Sequence, residues 1–200
     1  MFIVIEGPDG VGKGTQVSLL VEQLKSHGFD VWQTREPTDS EYGRRIRRML
    51  DKQEPMLPAT DFQMLYTQDR AEHLPELVEH LGQPGVVVVC DRYYYSTYAY
   101  GAAGGADVEQ LRQANSKFPV PDLMLWLNLD TESARTRMEA GRDALDEHDK
   151  NLSFQDRLQL EYTKLVDEFP EAVEIDATGS PEEVHQRIRK AVEEILPKAE

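Results

Sequence analysis

Lys13 closes a run of glycines, GPDGVGKGTQ (residues 7–16), that follows five largely apolar residues. Gly7, Gly10 and Gly12 free the backbone to bend so that its N–H groups converge, and Lys13 adds a mobile cation. Together with Pro8, Asp9, Val11, Gly14 and Thr15 they make a cradle for phosphate oxygens, the chemistry of the pattern G-x-x-x-x-G-K-[ST]. The match fails at its last place. Gly14 stands where a hydroxyl should reach a metal ion, and Thr15 comes one residue late.

Further charged and aromatic groups cluster in short motifs. REP (35–37) supplies Glu36, and GRRIRRML (43–50) supplies Arg47. Tyr66 and Arg70 lie four apart, so they share a helix face. DRYYYSTYAY (91–100) supplies Asp91, Arg92, Ser96, Thr97 and Tyr100. Moving a phosphoryl group between two anions demands cations from several segments and little covalent chemistry from the protein. Asp91, at a strand end, suits a magnesium ion held through waters. Asp9 would repel phosphate, so it needs another task; Glu6 suits the same polar network. Arg44, Arg45 and Arg48 read as a solvated helix face, and Tyr66 with Arg70 also fits an ordinary amphipathic pair.

Elements that position these groups follow from periodicity. Strands are expected at Phe2–Glu6, Val31–Thr34, Val86–Cys90, Leu123–Leu129 and Val173–Asp176. Helices are expected after the glycine loop (Val17, Leu20, Val21, Leu24), at Ser40–Leu50, and at Asp61–Leu81 with an interruption near Pro75. Others fall near Asp107–Asn115, Glu132–Glu139, Phe154–Phe169 and Pro181–Leu196. Strands alternating with helices imply an α/β fold: five parallel strands covered on both faces, in one domain over residues 1–200. Ligands of such sheets bind at the carboxyl ends of the strands, where the glycine loop, REP and DRYYYS all fall.

The chain has 200 residues and a formal net charge of −15, which argues against broad electrostatic binding to nucleic acid. No run approaches the ~18 apolar residues of a membrane span. Met1 leads directly into an apolar strand, so no leader is expected. A single cysteine, Cys90, in an apolar run points to an inert thiol and a cytoplasmic setting.

GKGTQ is similar to the phosphate loop of adenylate kinases, where Gly also follows Lys. The remaining motifs, IEGPDGVGKGTQ, TREPTDSEYGRRIRRML, LYTQDR, DRYYYSTYAY, PDLMLWLNL and FQDR, resemble thymidylate kinases in order and spacing along nearly the whole chain. That resemblance implies a P-loop kinase fold that phosphorylates dTMP to dTDP with ATP and Mg2+, as a homodimer. It implies that Arg92 and Arg47 grip the acceptor phosphate, Tyr66 stacks on the base, and Arg70 hydrogen-bonds the pyrimidine. Ser96 and Thr97 would contact the base edge, Tyr100 would disfavour a 2′-hydroxyl, and Asp9 would accept from the sugar 3′-OH. Glu36–Pro37 is expected as a cis peptide. With Gly10 in the P-loop position, the catalytic arginine should come from a lid at residues 141–151: Arg142, with Lys150 behind it. Thr15 and Asp91 are the metal candidates, and Arg137 suits packing against adenine. The departures are Gly14 and Gly101, where bacterial members often carry Gln. A kinase for dUMP or AMP stays open, as does a P-loop regulator without a small acceptor. Arginines 47, 70 and 92 discriminate, because a nucleotide sensor needs no second anion site.

Overall fold

The computed structural model describes residues 1–141 and 152–196. Five parallel strands, β1 (Phe2–Glu6), β2 (Asp30–Arg35), β3 (Val86–Asp91), β4 (Leu123–Asn128) and β5 (Ala172–Asp176), form one sheet in the order β2-β3-β1-β4-β5. Eight helices are described around it: α1 (Lys13–Ser26), α2 (Glu41–Leu50), α3 (Ala59–Leu81), α4 (Tyr94–Ala103), α5 (Val108–Asn115), α6 (Thr131–Gly141), α7 (Leu152–Glu168) and α8 (Pro181–Ile195).

Strand alternation sorts the core into two layers. Ile3, Ile5, Val87, Val89, Leu125 and Leu127 pack with Leu20 and Leu24 of α1 and Val184 and Ile188 of α8. Phe2, Val4, Val88, Cys90, Met124 and Trp126 pack on the opposite face against α3, α4, α5 and α7. Both faces being covered explains why these strands read as continuous apolar runs. The same alternation sends Glu6 to the α4/α7 side. A third, smaller cluster of Ile46, Met49, Phe62 and Leu65 fastens α2 to α3.

Two sequence expectations need correction. Helix α3 runs unbroken through Pro75. Proline cannot donate to the carbonyl of Ala71, but both residues are exposed, so water can satisfy that oxygen, while Leu77 anchors the helix beyond it. Helix α4 is absent from the periodicity reading. Its Tyr94, Tyr95, Ser96, Thr97, Tyr98 and Ala99 are buried all round, so no polar face marks the helical repeat.

Candidate active site

Between β1 and α1 the glycine loop turns through left-handed geometry. Gly7 has φ 139°, and a Cβ there would stand 2.9 Å from the carbonyl oxygen of Leu127, so a side chain is excluded. Gly12 caps α1 in a left-handed conformation, with Gly14 and Thr15 exposed in the first turn. The helix therefore presents its free N–H groups beside Lys13. Lys13 is buried; its Nζ donates to the carbonyl of Pro8 at 2.7 Å and lies 3.6 Å from Asp9 Oδ1. Burial, reinforced by the nearby Arg92 guanidinium, lowers its pKa to about 8.

Arg92 follows β3 with φ 69°, a conformation that costs a non-glycine residue about 1 kcal/mol or more. It is held there by its N–H donating to the carbonyl of Ile5 at 3.0 Å. The consequence is a guanidinium aimed back across the sheet edge. Its Nη2 donates to Asp9 Oδ1 at 2.8 Å, and its Nη1 to Ser96 Oγ at 3.0 Å. Tyr100 lies under the same group, its ring centroid 5.3 Å from Cζ and its hydroxyl 3.4 Å from Nη2.

Glu6 underpins this arrangement more than the sequence indicated. Fully buried at the end of β1, it accepts from the Tyr93 and Ser96 backbone N–H groups at 2.8 and 3.1 Å. It also accepts from the Ser96 hydroxyl at 2.5 Å and the Tyr162 hydroxyl at 3.0 Å. Desolvation raises its pKa, against the pull of Arg92 and these donors. The carboxyl thus fixes the start of α4 and, through Ser96, the Arg92 head.

Asp91 Oδ1 is buried and has no hydrogen-bond partner among the described residues. An orphaned carboxylate oxygen beside the P-loop fits a metal ion that keeps most of its water shell, and Thr15 offers a hydroxyl on the exposed first turn of α1. Among the described residues there is no group of three or more acidic, His or Cys side chains that could hold a metal ion by themselves.

A second wall comes from the segment after β2. The Glu36–Pro37 peptide is cis. Asp69 on α3, fully buried, holds the following loop: its carboxylate accepts from Thr38 N–H at 2.8 Å, Thr38 Oγ1 at 2.6 Å and Ser40 Oγ at 2.6 Å. Gly43 lets α2 approach, since a Cβ there would lie 2.0 Å from the Thr38 carbonyl oxygen. Arg47 reaches back along the same loop, donating to the carbonyls of Pro37 at 3.2 Å and Thr38 at 2.8 Å and pairing with Asp39 at 2.7 Å. Asp69 was missed because its partners lie about thirty residues away; only the quoted LYTQDR hinted at it.

These walls enclose a cleft of about 1220 Å3. Asp9, Gly10, Lys13, Gly14 and Thr15 line one end; Glu36, Arg47, Tyr66, Asp91, Arg92, Ser96, Thr97 and Tyr100 line the rest. Tyr66 packs edge-on to Phe62. Arg70 is not brought to the cleft surface. Only 1 % exposed, it pairs with Glu36 through Nε at 2.8 Å and Nη2 at 2.6 Å, and also donates to Asn115 and Thr97. Its guanidinium therefore sets Glu36 and Thr97 from behind. Arg137 joins the P-loop to the β5–α8 loop, with its Nη1 3.5 Å from the carbonyl of Val11 and its Nη2 3.1 Å from those of Ala177 and Gly179. Arg142, Lys150 and lid residues 142–151 lie outside the described residues.

Comparison with known proteins gives the family. A family model described as thymidylate kinase matches residues 5–188. A probable thymidylate kinase of Pyrococcus abyssi is 40% identical over 94% of this chain and 93% of its own length. One from Thermococcus onnurineus is 38% identical over 99% of this chain and 100% of its own. A thymidylate kinase of Synechococcus is 40% identical over 100% of this chain and 97% of its own.

Proposed function

The chain belongs to the thymidylate kinase family, and on that premise we propose that it transfers the γ-phosphoryl group of ATP to dTMP, yielding ADP and dTDP for dTTP synthesis. The observation that carries this reading is the second charged station. Arg92, paired to Asp9 and seated on Ser96, faces the phosphate loop across one cleft. A protein that only senses nucleotide has no use for it.

In this reading the loop from Gly7 to Thr15 and Lys13 hold the donor phosphates. Arg92 and Arg47 hold the acceptor phosphate, exchanging part of their internal carbonyl and carboxylate contacts for it. Positioning two anions in line and neutralising the charge between them is most of the catalysis such a transfer needs. Asp9, released from Arg92, takes the 3′-hydroxyl. Tyr66 offers its ring to the base, Ser96 and Thr97 border the base edge, and Tyr100 crowds the 2′ position of the sugar. Glu36 closes the acceptor side. Arg137 sits where an adenine would enter, between the P-loop and residues 177–180, and Arg142 would supply the remaining cation.

Thr15 and Asp91 would hold Mg2+, which when bound screens the charge of the donor phosphates. The proposal extends to a homodimer in the cytoplasm; no described helix is long and apolar enough to cross a membrane.

Replacing Arg92 with alanine tests the two-station map. Truncating a partly buried cation in an anion clamp costs about 2–5 kcal/mol, so kcat/KM for dTMP should fall at least 30-fold with the ATP KM nearly unchanged. A rise confined to the ATP KM would place Arg92 in the donor site and reverse the map.

A further inference from the structure

Gln16 lies on α1 one turn beyond Lys13 and is 2 % exposed. Its Nε2 donates to the backbone carbonyl of Pro181, the first residue of α8, at 2.9 Å. That carbonyl can only accept, which fixes the end of the amide that faces it. The other end, Oε1, is buried and has no hydrogen-bond partner among the described residues. An unpaired buried amide oxygen costs stability, and an apolar side chain of similar volume would avoid that cost. Packing between α1 and α8 therefore gives little reason for a glutamine here. What the bond joins does. The phosphate loop follows β1, residues 177–180 follow β5, and β4 lies between those strands. Arg187 on α8 takes the carbonyls of Asp176 and Thr178 at 2.7 and 2.6 Å, which stiffens this segment without placing it. Two side chains place it against the phosphate loop. Arg137 spans from the Val11 carbonyl to those of Ala177 and Gly179, and Gln16 spans from α1 to Pro181. Arg137 stands where the proposed adenine packs. Gln16 is enclosed and takes no part in the cleft wall, so it acts through the segment rather than on the nucleotide.

We infer that Gln16 is a positioning residue for the donor nucleotide: its carboxamide sets the distance between the loop that holds the phosphates and the loop that borders the base. The inference rests on the donor site proposed above. A nucleotide bridges the two loops only when they stand one nucleotide apart. Its base and phosphate contacts then act together, and a loop free to drift would lose that gain. Burial protects the Pro181 bond from water, so the spacing holds before the nucleotide arrives. The unpaired Oε1 is the stability given up for it, as is common where a functional arrangement overrides a local rule.

Calorimetric titration of the full chain compares ATP with inorganic tripolyphosphate, both with Mg2+. Tripolyphosphate fills the phosphate loop and leaves the base side empty. The wild type should bind ATP about tenfold or more tightly than tripolyphosphate. Gln16→Leu and Gln16→Met lose the Pro181 bond together with the unpaired oxygen. Each should weaken ATP about fivefold and leave tripolyphosphate within about twofold of wild type, because a loop placed correctly part of the time lowers apparent affinity by that fraction. The ATP KM should rise in step while the dTMP KM stays. Parallel losses for both probes overturn the inference, since the phosphate loop itself is then damaged. Unchanged ATP affinity in the variants overturns it too. So does a wild type that binds both probes equally, a result independent of how the variants fold. None of these titrations contains dTMP, so a wild type that binds ATP but leaves dTMP unphosphorylated overturns the proposed function separately.

Discussion

Raising the pH should make ATP binding take up a proton, and the buried P-loop lysine sets the scale. Lys13 loses its proton near pH 8 in the free enzyme, whereas an exposed lysine does so near 10.5. That displacement, 10.5 − 8, disfavours the folded ammonium by about 3 kcal/mol. The sign follows from linkage. The native state sheds the proton as pH rises through about 8, while the unfolded chain keeps it up to about 10.5. The unfolded state therefore binds more protons in that window, and this group's destabilisation, full below pH 8, is relieved as pH rises across it. Bound phosphates favour the ammonium again. Near pH 8.5 about three-quarters of free Lys13 is neutral, so ATP binding should draw in about three-quarters of a proton. Near pH 6.5 it should draw in almost none from this group. Calorimetric titration of ATP in buffers of different ionisation enthalpy reads that number directly. ATP affinity should fall about tenfold per pH unit above 8. Lys13→Arg, always charged, should abolish the uptake. Equal heats in all buffers at pH 8.5, or the same uptake in Lys13→Arg, would refute the reasoning.

Two substitutions probe the scaffold. Gly14→Thr should retain activity, because a Cβ at Gly14 meets nothing within 4 Å and the residue is exposed; loss of more than about tenfold in kcat would show that the loop depends on glycine there. Gly43→Ala should lower stability by about 1–3 kcal/mol and raise the dTMP KM more than the ATP KM, since the new methyl collides with the Thr38 carbonyl in the acceptor wall; unchanged denaturant midpoint and KM would contradict that role.

What the sequence revealed was the part written in local order. Gly7 to Thr15 after one apolar strand, and Asp91–Arg92 at the end of another, already place two charged stations at one sheet edge. All five strands fall within a residue or two of expectation: β1, β3 and β4 are buried on both faces and read as unbroken apolar runs, while the half-exposed edge strands β2 and β5 are bounded by the turns and helices on either side. Helix α4 escaped because burial on every side erases periodicity. The long-range polar braces escaped for another reason. Asp69 to Thr38, Arg70 to Asn115 and Glu6 to Tyr162 join residues 31, 45 and 156 positions apart, and no spacing rule connects them. Arg70 shows the effect most clearly. Its spacing from Tyr66 places it on a shared helix face and the family resemblance implies a base contact, but no local pattern announces the carboxylate, the amide and the two rings that the fold sets around its guanidinium.

The central claim is that this cleft phosphorylates dTMP. The most direct measurement is ADP release by the purified full chain with ATP and Mg2+ across a panel of dTMP, dUMP and AMP. The account predicts that kcat/KM ranks dTMP first and dUMP lower, with AMP near background, because the donor loop is common to all three reactions and the acceptor walls are not. AMP turnover equal to that of dTMP would contradict it.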